Sequence, residues 1–294
     1  MGPGHEIFLT IFKKQNRNIV KISFEMTDAD KLISTYLDPT LENEAQNLAL
    51  NQLVTLMDTG AGCITIQELI LRMGDQLTSV DDKIRSRASL LLAEVISKIH
   101  QPLTSNAIHQ VAIFFRNRLS DYPSLTSALF GLQALISTQM ARADPKYNDA
   151  QDIVLSVFAE VHVQSLSQSI RSQSFEFFNV FLSNEIAVNA VGGKFTASYM
   201  SPITSSCSSI SNRASVAVAD EKEPFALSVL EGIISSIDGE KDPRCLVASM
   251  KVLRRAISYF QLFVPLLAEK IFDISACYFP VSCKTNIFFC FTYI

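Results

Sequence analysis

Two stretches, VDDKIRSRASLLLAEVI at Val80–Ile96 and SDYPSLTSALFGLQALI at Ser120–Ile136, superpose on one another and together decide the fold. The superposition places Asp121 on Asp81 and keeps the alanine, leucine and isoleucine positions that follow in register. The offset is about 40 residues, and self-similarity at such a fixed period is typical of helical repeat proteins. The pair therefore indicates consecutive copies of one structural unit.

Further copies of this unit follow along the chain. The stretch QSIRSQSFEFFNVFL at Gln168–Leu182 is a third copy, and it puts Arg171 on Arg85. A looser fourth copy, GEKDPRCLVASMKVL at Gly239–Leu253, puts Arg244 near the same position. Four copies of one helical unit predict that the chain is built by stacking.

Apolar residues recur at helical spacing in four consecutive pairs of stretches. These pairs cover residues 66–77 with 90–99, 108–119 with 125–136, 153–161 with 170–182, and 230–237 with 246–257. Strand signals are almost absent, since no alternating β-branched run is closed by an Asn-Gly or Asp-Gly turn. The sequence therefore predicts an all-α fold, a HEAT- or armadillo-like α-solenoid of stacked antiparallel helix pairs.

Composition excludes some classes of function. The chain has 294 residues, of which 48% are hydrophobic, so it can build a sizeable core. It has 25 basic and 29 acidic residues and a formal charge of -4, which argues against direct nucleic-acid binding. The run KVLRRAI places Lys251, Arg254 and Arg255 on a helix, but no aromatic residues are interleaved. We interpret this run as a solvated face rather than a nucleic-acid contact.

The cysteines and the two ends of the chain bear on the compartment. No C-x-x-C spacing occurs among the six cysteines, which argues against a zinc or iron–sulfur site in this chain and favours a reducing compartment. They are Cys63, Cys207, Cys245, Cys277, Cys283 and Cys290. The early run EIFLTIF is too short for a signal peptide, and Glu269, Lys270 and Asp273 interrupt the apolar stretch after Ala256. Neither secretion nor a membrane span is expected.

A charged cluster opens the first of the superposed stretches. It contains Asp81, Asp82, Lys83, Arg85 and Arg87, which are the residue types of an acid–base or anion-binding site. The alternative is structural, because an Asp at the start of a helix accepts hydrogen bonds from free N–H groups. In HEAT-type repeats an Asp and an Arg at equivalent positions bond between adjacent repeats. We favour this role for Arg85 over catalysis.

Other motifs give no catalytic constellation. The four histidines, His5, His100, His109 and His162, lack H-x-x-x-H spacing, so neighbours on one helix cannot share a metal. We expect His100 to cap a helix end and His162 to lie in a helix-to-helix turn. The run VGGKFT lacks the first glycine of a phosphate loop, and no G-x-S-x-G elbow occurs. We therefore assign no catalytic, cofactor-binding or metal-ligating residue and predict that the chain is not an enzyme.

The pattern divides the chain into five segments. Residues 26–183 and 225–281 carry the HEAT-like repeats. Between them, residues 184–224 are rich in Ser, Thr and Ala and predict a loop or disordered insertion. Residues 1–25 form an unplaced extension, and residues 282–294 form an atypical tail. We expect the chain to be the N-terminal portion of a longer scaffold, with a natural beginning at Met26.

Three further stretches resemble one known family. They are EVHVQSL at Glu160–Leu166, IDGEKDPR at Ile237–Arg244 and CYFP at Cys277–Pro280. In this order they resemble the MMS nineteen nucleotide excision repair family, as does the early stretch DDKIRSRASLLLAEV. This family is the HEAT-repeat scaffold of the cytosolic iron–sulfur assembly targeting complex. The similarity covers residues 43–184 and 225–281, and DGEKDPR is its most specific piece.

The resemblance implies a non-catalytic adaptor in the cytoplasm and nucleus. Family members join a β-propeller subunit and a small adaptor protein, mainly through far C-terminal repeats that this chain lacks. The complex delivers iron–sulfur clusters to apo-enzymes of DNA replication, repair and transcription. The resemblance implies neither a cofactor, a membrane contact nor a catalytic residue here. The alternative is a generic α-solenoid binding module, such as a transport receptor or a phosphatase scaffold.

Overall fold

The computed structural model describes residues 28–60, 64–139, 149–192 and 223–278. Every regular element in these ranges is helical, and none of their residues forms a strand. The prediction of an all-α, HEAT- or armadillo-like α-solenoid of stacked helix pairs is confirmed. The chain divides into two compact units, Met1–Val161 and His162–Ile294.

The described part of the first unit is a succession of α-helices. They are α1 (Asp28–Leu37), α2 (Asn43–Thr59), α3 (Ile66–Arg72), α4 (Gly74–Leu77), α5 (Asp82–Lys98), α6 (Ser105–Arg118), α7 (Leu125–Ala134) and α8 (Asp149–Glu160). A 3-10 helix, Tyr122–Ser124, leads into α7, and a π-helical segment, Leu135–Gln139, follows it. Helix α1 packs on α2, and α5 packs along α7 with α2 and α4 on its other sides.

Helix α5 is the centre of the first unit. It begins after Asp81, whose side chain accepts hydrogen bonds from the N–H groups of Lys83 and Ile84. It buries residues on several sides because helices pack around it, and Leu91, Leu92 and Ile96 are fully enclosed. Each such side chain stabilises the fold by about 1.5–3 kcal/mol through removal of apolar surface from water.

Helix α7 approaches α6 closely at Gly131. A Cβ atom built on Gly131 would overlap the ring of Phe115, which is fully buried in α6. Any side chain at position 131 would push the two helices apart. The glycine therefore sets the spacing within this helix pair.

One predicted helix is interrupted. The apolar stripe over residues 66–77 predicted a single helix, but the structure has α3 and α4 with Met73 between them. The dihedral angles of Met73 leave the helical range, while its N–H still bonds to the carbonyl of Leu69. Gly74 follows directly, and glycine is a poor helix former, which explains why the break falls here.

The described part of the second unit contains five further α-helices. They are α9 (Gln168–Ser183), α10 (Glu185–Ala190), α11 (Glu223–Ile237), α12 (Pro243–Tyr259) and α13 (Val264–Ala276), and a 3-10 helix, Val163–Ser165, precedes α9. Helices α9 and α12 run side by side in the same direction. Arg171 near the start of α9 reaches Glu240 just before α12, and Arg255 near the end of α12 reaches Asn179 of α9.

The structure bears on only part of the predicted segmentation. The extension over residues 1–25 and the tail over residues 282–294 lie outside the described residues. Within the predicted insertion over residues 184–224, helix α10 forms immediately after Asn184, whose side chain accepts from the N–H of Ala187. The start of this segment is therefore helical, because Ala187 and Val188 are buried. The other boundaries stay predictions.

Candidate functional site

The charged cluster at the start of α5 is bonded into the repeat structure. Nε and Nη2 of Arg85 donate to the two carboxylate oxygens of Asp121, at 2.7 and 2.9 Å. The Nη1 group donates to the carbonyl of Ser79 at 2.8 Å. Since Asp121 is the counterpart of Asp81 in the following copy, the predicted bond between adjacent repeats is confirmed.

Asp81, Asp82 and Arg87 of the cluster also have structural partners. Asp81 caps the start of α5, and Asp82 accepts from Nη2 of Arg85 at 2.6 Å. Nε of Arg87 donates to the carbonyl of Tyr36 at 3.0 Å and so ties α5 to α1. These acids and bases serve folding, as the structural interpretation predicted.

Asp121 neutralises two guanidinium groups. Besides Arg85, it accepts from Nη1 of Arg118 at 3.3 Å and from the hydroxyl of Ser124 at 2.8 Å. Burial alone would raise the pKa of the Asp121 carboxyl, but these hydrogen bonds and charges hold it below the usual value. Burial lowers the pKa of Arg118 to about 10, although Asp121 opposes this effect. The carboxylate is thus the shared anchor of a small ionic network.

The same arrangement recurs in the second unit. Nε and Nη2 of Arg171 donate to the carboxylate of Glu240 at 2.8 and 3.1 Å, and Nη1 donates to the carbonyl of Leu166 at 2.8 Å. The Glu240 side chain is only 2% exposed. Hydrogen bonds with Glu240 raise the pKa of Arg171. The superposition of Arg171 on Arg85 was therefore right in geometry as well as in sequence.

An additional member of this series was missed by the sequence analysis. The side-chain amide of Gln46, near the start of α2, donates to the carbonyls of Asp38 and Leu41 at 3.0 and 2.9 Å. Arg85 makes corresponding bonds to the chain just before α5. A long side chain with a hydrogen-bond donor at this position thus bonds to the carbonyls that precede its helix. The amide of Gln46 makes these bonds, and the guanidinium of Arg85 makes them and also binds Asp121.

Arg244 does not belong to the series, so its predicted equivalence to Arg85 is wrong. Its side chain is 79% exposed and lies 3.5 Å from Asp242, the residue that caps α12. Aligning the helix caps places Arg244 opposite Lys83. Arg85 lies four residues after its helix cap, Asp81, whereas Arg244 lies only two residues after Asp242. The residue equivalent to Arg85 is therefore Leu246.

Described residues from each of the three stretches that carry the family resemblance bond near the turn at Glu240. The side-chain amide of Gln164 donates to the carbonyl of Ser235 at 2.7 Å, and the hydroxyl of Tyr278 donates to the carbonyl of Glu240 at 2.7 Å. The Glu240 carboxylate accepts from the N–H groups of Lys241 and Asp242. Gly239 turns the chain here with a φ of 73°. Gln164, Glu240 and Tyr278 therefore help to fix the end of α11 and the turn that leads to α12.

A polar cleft of about 250 Å³ lies beside this turn. Gln164, Asp238 and Lys241 line it together with the ion pair Arg171–Glu240. At its wall the guanidinium of Arg171 and the N–H groups of Lys241 and Asp242 all bond to the carboxylate of Glu240. Its geometry indicates a joint between repeats rather than a reaction centre.

The histidines lie apart from one another. His100 follows the end of α5, and its Nδ1 is 2.9 Å from Oδ2 of Asp58 in α2. The imidazole therefore contacts a carboxylate of another helix and not the terminal carbonyls of α5, which it was expected to cap. Nδ1 of His109 is 2.7 Å from Oδ1 of Asp149. His162 lies in the turn before α9, as predicted, and His5 lies outside the described residues.

The described residues hold no clustered metal ligands. In residues 28–60, 64–139, 149–192 and 223–278, no three His, Cys, Asp or Glu side chains are grouped to hold a metal ion. Cys245 is buried and Cys277 is exposed, both as free thiols. The other four cysteines fall outside these ranges. Of the helices that the structure describes, none has the length and apolar character of a membrane span.

Comparisons with known proteins agree on one family. The family model MMS19_N, described as "Dos2-interacting transcription regulator of RNA-Pol-II", matches residues 70–286. The MMS19 nucleotide excision repair protein homolog of Dictyostelium discoideum is 28% identical over 87% of this chain and 20% of its own length. The Mus musculus homolog is 28% identical over 76% of this chain and 18% of its own length.

A plant relative also matches most of the chain. The Arabidopsis thaliana homolog is 24% identical over 85% of this chain and 19% of its own length. The chain thus spans about a fifth of the length of the curated relatives it matches. Neither the name of this family nor that of these relatives denotes a catalytic activity. The chain belongs to the MMS19 family, in its N-terminal region.

Proposed function

We propose that this chain is part of a non-catalytic scaffold of the cytosolic iron–sulfur protein assembly complex. The scaffold helps to deliver iron–sulfur clusters, as cargo, to apo-proteins of DNA replication, repair and transcription in the cytoplasm and nucleus. Membership of the MMS19 family supports this specific role.

One observation supports a scaffold rather than an enzyme. The strongest candidate for a reactive cluster, Asp81 to Arg87, is engaged in helix capping and in ties between neighbouring helices. A catalytic acid or base needs a free proton-transfer position near substrate, whereas Arg85 and Asp121 bond to each other at both carboxylate oxygens. Function is then carried by the surface that the stacked helices present.

Affinity purification of two forms of the full-length protein tests the proposal. One form is intact, and the other lacks the region that corresponds to residues 28–278. We expect the intact form to recover the β-propeller subunit, the small adaptor and iron–sulfur clients such as helicases, polymerases and primase. The shortened form should keep the first two and lose part of the clients, because the far C-terminal repeats hold the assembly subunits.

The same experiment distinguishes the alternative. Recovery of a small GTPase in place of these proteins would favour a transport receptor, and recovery of a phosphatase catalytic subunit would favour a phosphatase scaffold. If neither form recovers the propeller subunit or any iron–sulfur client, the proposal is wrong. Radioactive iron incorporated into the clients is then measured in cells depleted of the protein and supplied with either form. A lower incorporation with the shortened form would show that client binding supports cluster delivery.

A further inference from the structure

One face of helix α12 carries an exposed basic stripe. Arg244, Val247, Lys251 and Arg254 follow one another at spacings of three, four and three residues, which places them on a single side of the helix. All four are exposed, and Val247 is 58% exposed. The helix has no acidic residue between Pro243 and Tyr259. We call these four residues the α12 stripe.

The neighbouring helix continues this surface with small polar residues. Superposing α9 on α12 by their caps, Ser167 on Asp242, gives an offset of 75 residues (242 - 167). The α12 stripe then corresponds to Ser169, Ser172, Glu176 and Asn179 of α9, and the first three of these are exposed. Because α9 and α12 are packed side by side in the same direction, the two rows form one surface.

The α12 stripe is not the contact face for a following repeat. Met250 and Ile257 of α12 are half-buried, whereas their counterparts in α9, Phe175 and Leu182, are fully buried in a helix on which α12 packs. That apolar flank is therefore where a following helix would pack. The exposed row on α9 stays open although α12 is already in place, so the equivalent row on α12 stays open as well.

We propose that the α12 stripe binds an acidic segment of a partner protein, an inference that rests on the proposed scaffold function. Three cations around one exposed valine favour a peptide that presents carboxylates about an apolar side chain. Nucleic acid fits less well, because Glu176 and Asp242 border the cations and no aromatic residue lies in the row to stack on bases.

Site-specific photo-cross-linking in the full-length protein tests this inference. A benzoylphenylalanine placed at Val247 captures whatever lies against the stripe, and one placed at Leu48, which is 59% exposed in α2, is the matched control. We expect segments of partner proteins cross-linked at position 247 to be rich in Asp and Glu. Segments from position 48 should show no such enrichment.

Charge reversal supplies the second arm. The changes Arg244→Glu, Lys251→Glu and Arg254→Glu together should lower cross-linking at position 247 by about tenfold or more, because three attractive charges become repulsive. The control variant, with Lys31→Glu, Lys98→Glu and Lys270→Glu, alters net charge equally and should leave cross-linking unchanged. If the reversed protein misfolds, the three changes to Gln take its place, with an expected loss of about threefold.

Each outcome decides the matter. Cross-linking to neutral or basic segments, to nuclease-sensitive material or to another part of the same chain would overturn the inference, and so would an unchanged yield after charge reversal. Recovery of the propeller subunit and iron–sulfur clients is measured in the same samples. A normal recovery with no acidic cross-link defeats the inference alone, whereas the absence of all these proteins from the unmodified sample defeats the proposed function.

Discussion

Replacing Asp121 by Asn removes the carboxylate that neutralises both Arg85 and Arg118. The change keeps the size of the side chain but removes the carboxylate that the two adjacent guanidinium groups share, and it leaves Arg85 with the more exposed carboxylate of Asp82. The side chain of Arg118 is only 5% exposed, and that of Arg85 is 13% exposed, so water cannot readily replace the lost partner. We expect this single change to be among the most damaging in the first unit.

The size of the effect follows from this burial. Removing one partner of a buried ion pair costs about 3–5 kcal/mol, and solvent contact at Asp121 places the expected cost near the lower end, about 3 kcal/mol. Replacing Arg85 by Met is milder, about 1.5 kcal/mol, because Asp121 keeps Arg118 and Ser124 as donors. The two changes differ although they remove the same bidentate pair.

Hydrogen–deuterium exchange on the full-length protein measures the difference locally. Amides of α5 and α7 should lose protection by about a hundredfold in Asp121→Asn and by about tenfold in Arg85→Met. Amides of α12 serve as the internal control and should not change in either variant. Equal losses in the two variants would refute the account, since they would mean that Arg118 does not depend on Asp121.

Three further predictions follow from described contacts. Gly131→Ala should lower the free energy of unfolding by about 1–3 kcal/mol, because its Cβ overlaps the ring of Phe115, and adding Phe115→Leu should recover part of the loss in urea titrations followed by circular dichroism. Asp81→Ala should cost about 1 kcal/mol by the same measurement, whereas Asp81→Asn should cost little, because Asn also caps helices well. The folded state holds the pKa of Asp121 below its usual value, so its ionised carboxylate contributes fully to the free energy of unfolding above the unfolded pKa of about 4. This contribution is lost as the pH falls through the lower pKa of the folded state. Urea midpoints measured over a pH series should therefore fall less on the acid side in Asp121→Asn than in the unmodified protein.

Much of the fold could be predicted because the repeat carries its own signature. The matched positions of Asp81 and Asp121 placed the start of α5 and the bond between Arg85 and Asp121. Both are local rules, since a cap and a donor one turn into a helix depend on nearby sequence. The candidate site was predicted in kind by this reasoning, as a structural cluster rather than a catalytic one.

What escaped prediction depends on contacts that are distant in sequence or on shape. The partner of Arg171 is Glu240, which lies 69 residues away, and no periodicity links them. The burial of Arg118 in α6 follows from its bonds to Asp121 and the carbonyl of Leu77, whereas arginine is ordinarily a surface residue. The close approach at Gly131 depends on the angle between two helices, which composition does not specify.

The tie between Arg171 and Glu240 has a consequence for how the chain can vary. It joins points 69 residues apart and thereby closes a loop in the polymer sense. The entropy of loop closure grows only with the logarithm of length, about 0.6 kcal/mol for each doubling, so the stabilisation that this contact gives depends little on how many residues separate its ends. Helices α9 and α12 are thus held in register by contacts at both ends, Arg171 with Glu240 and Arg255 with Asn179, rather than by the length of the chain that joins them.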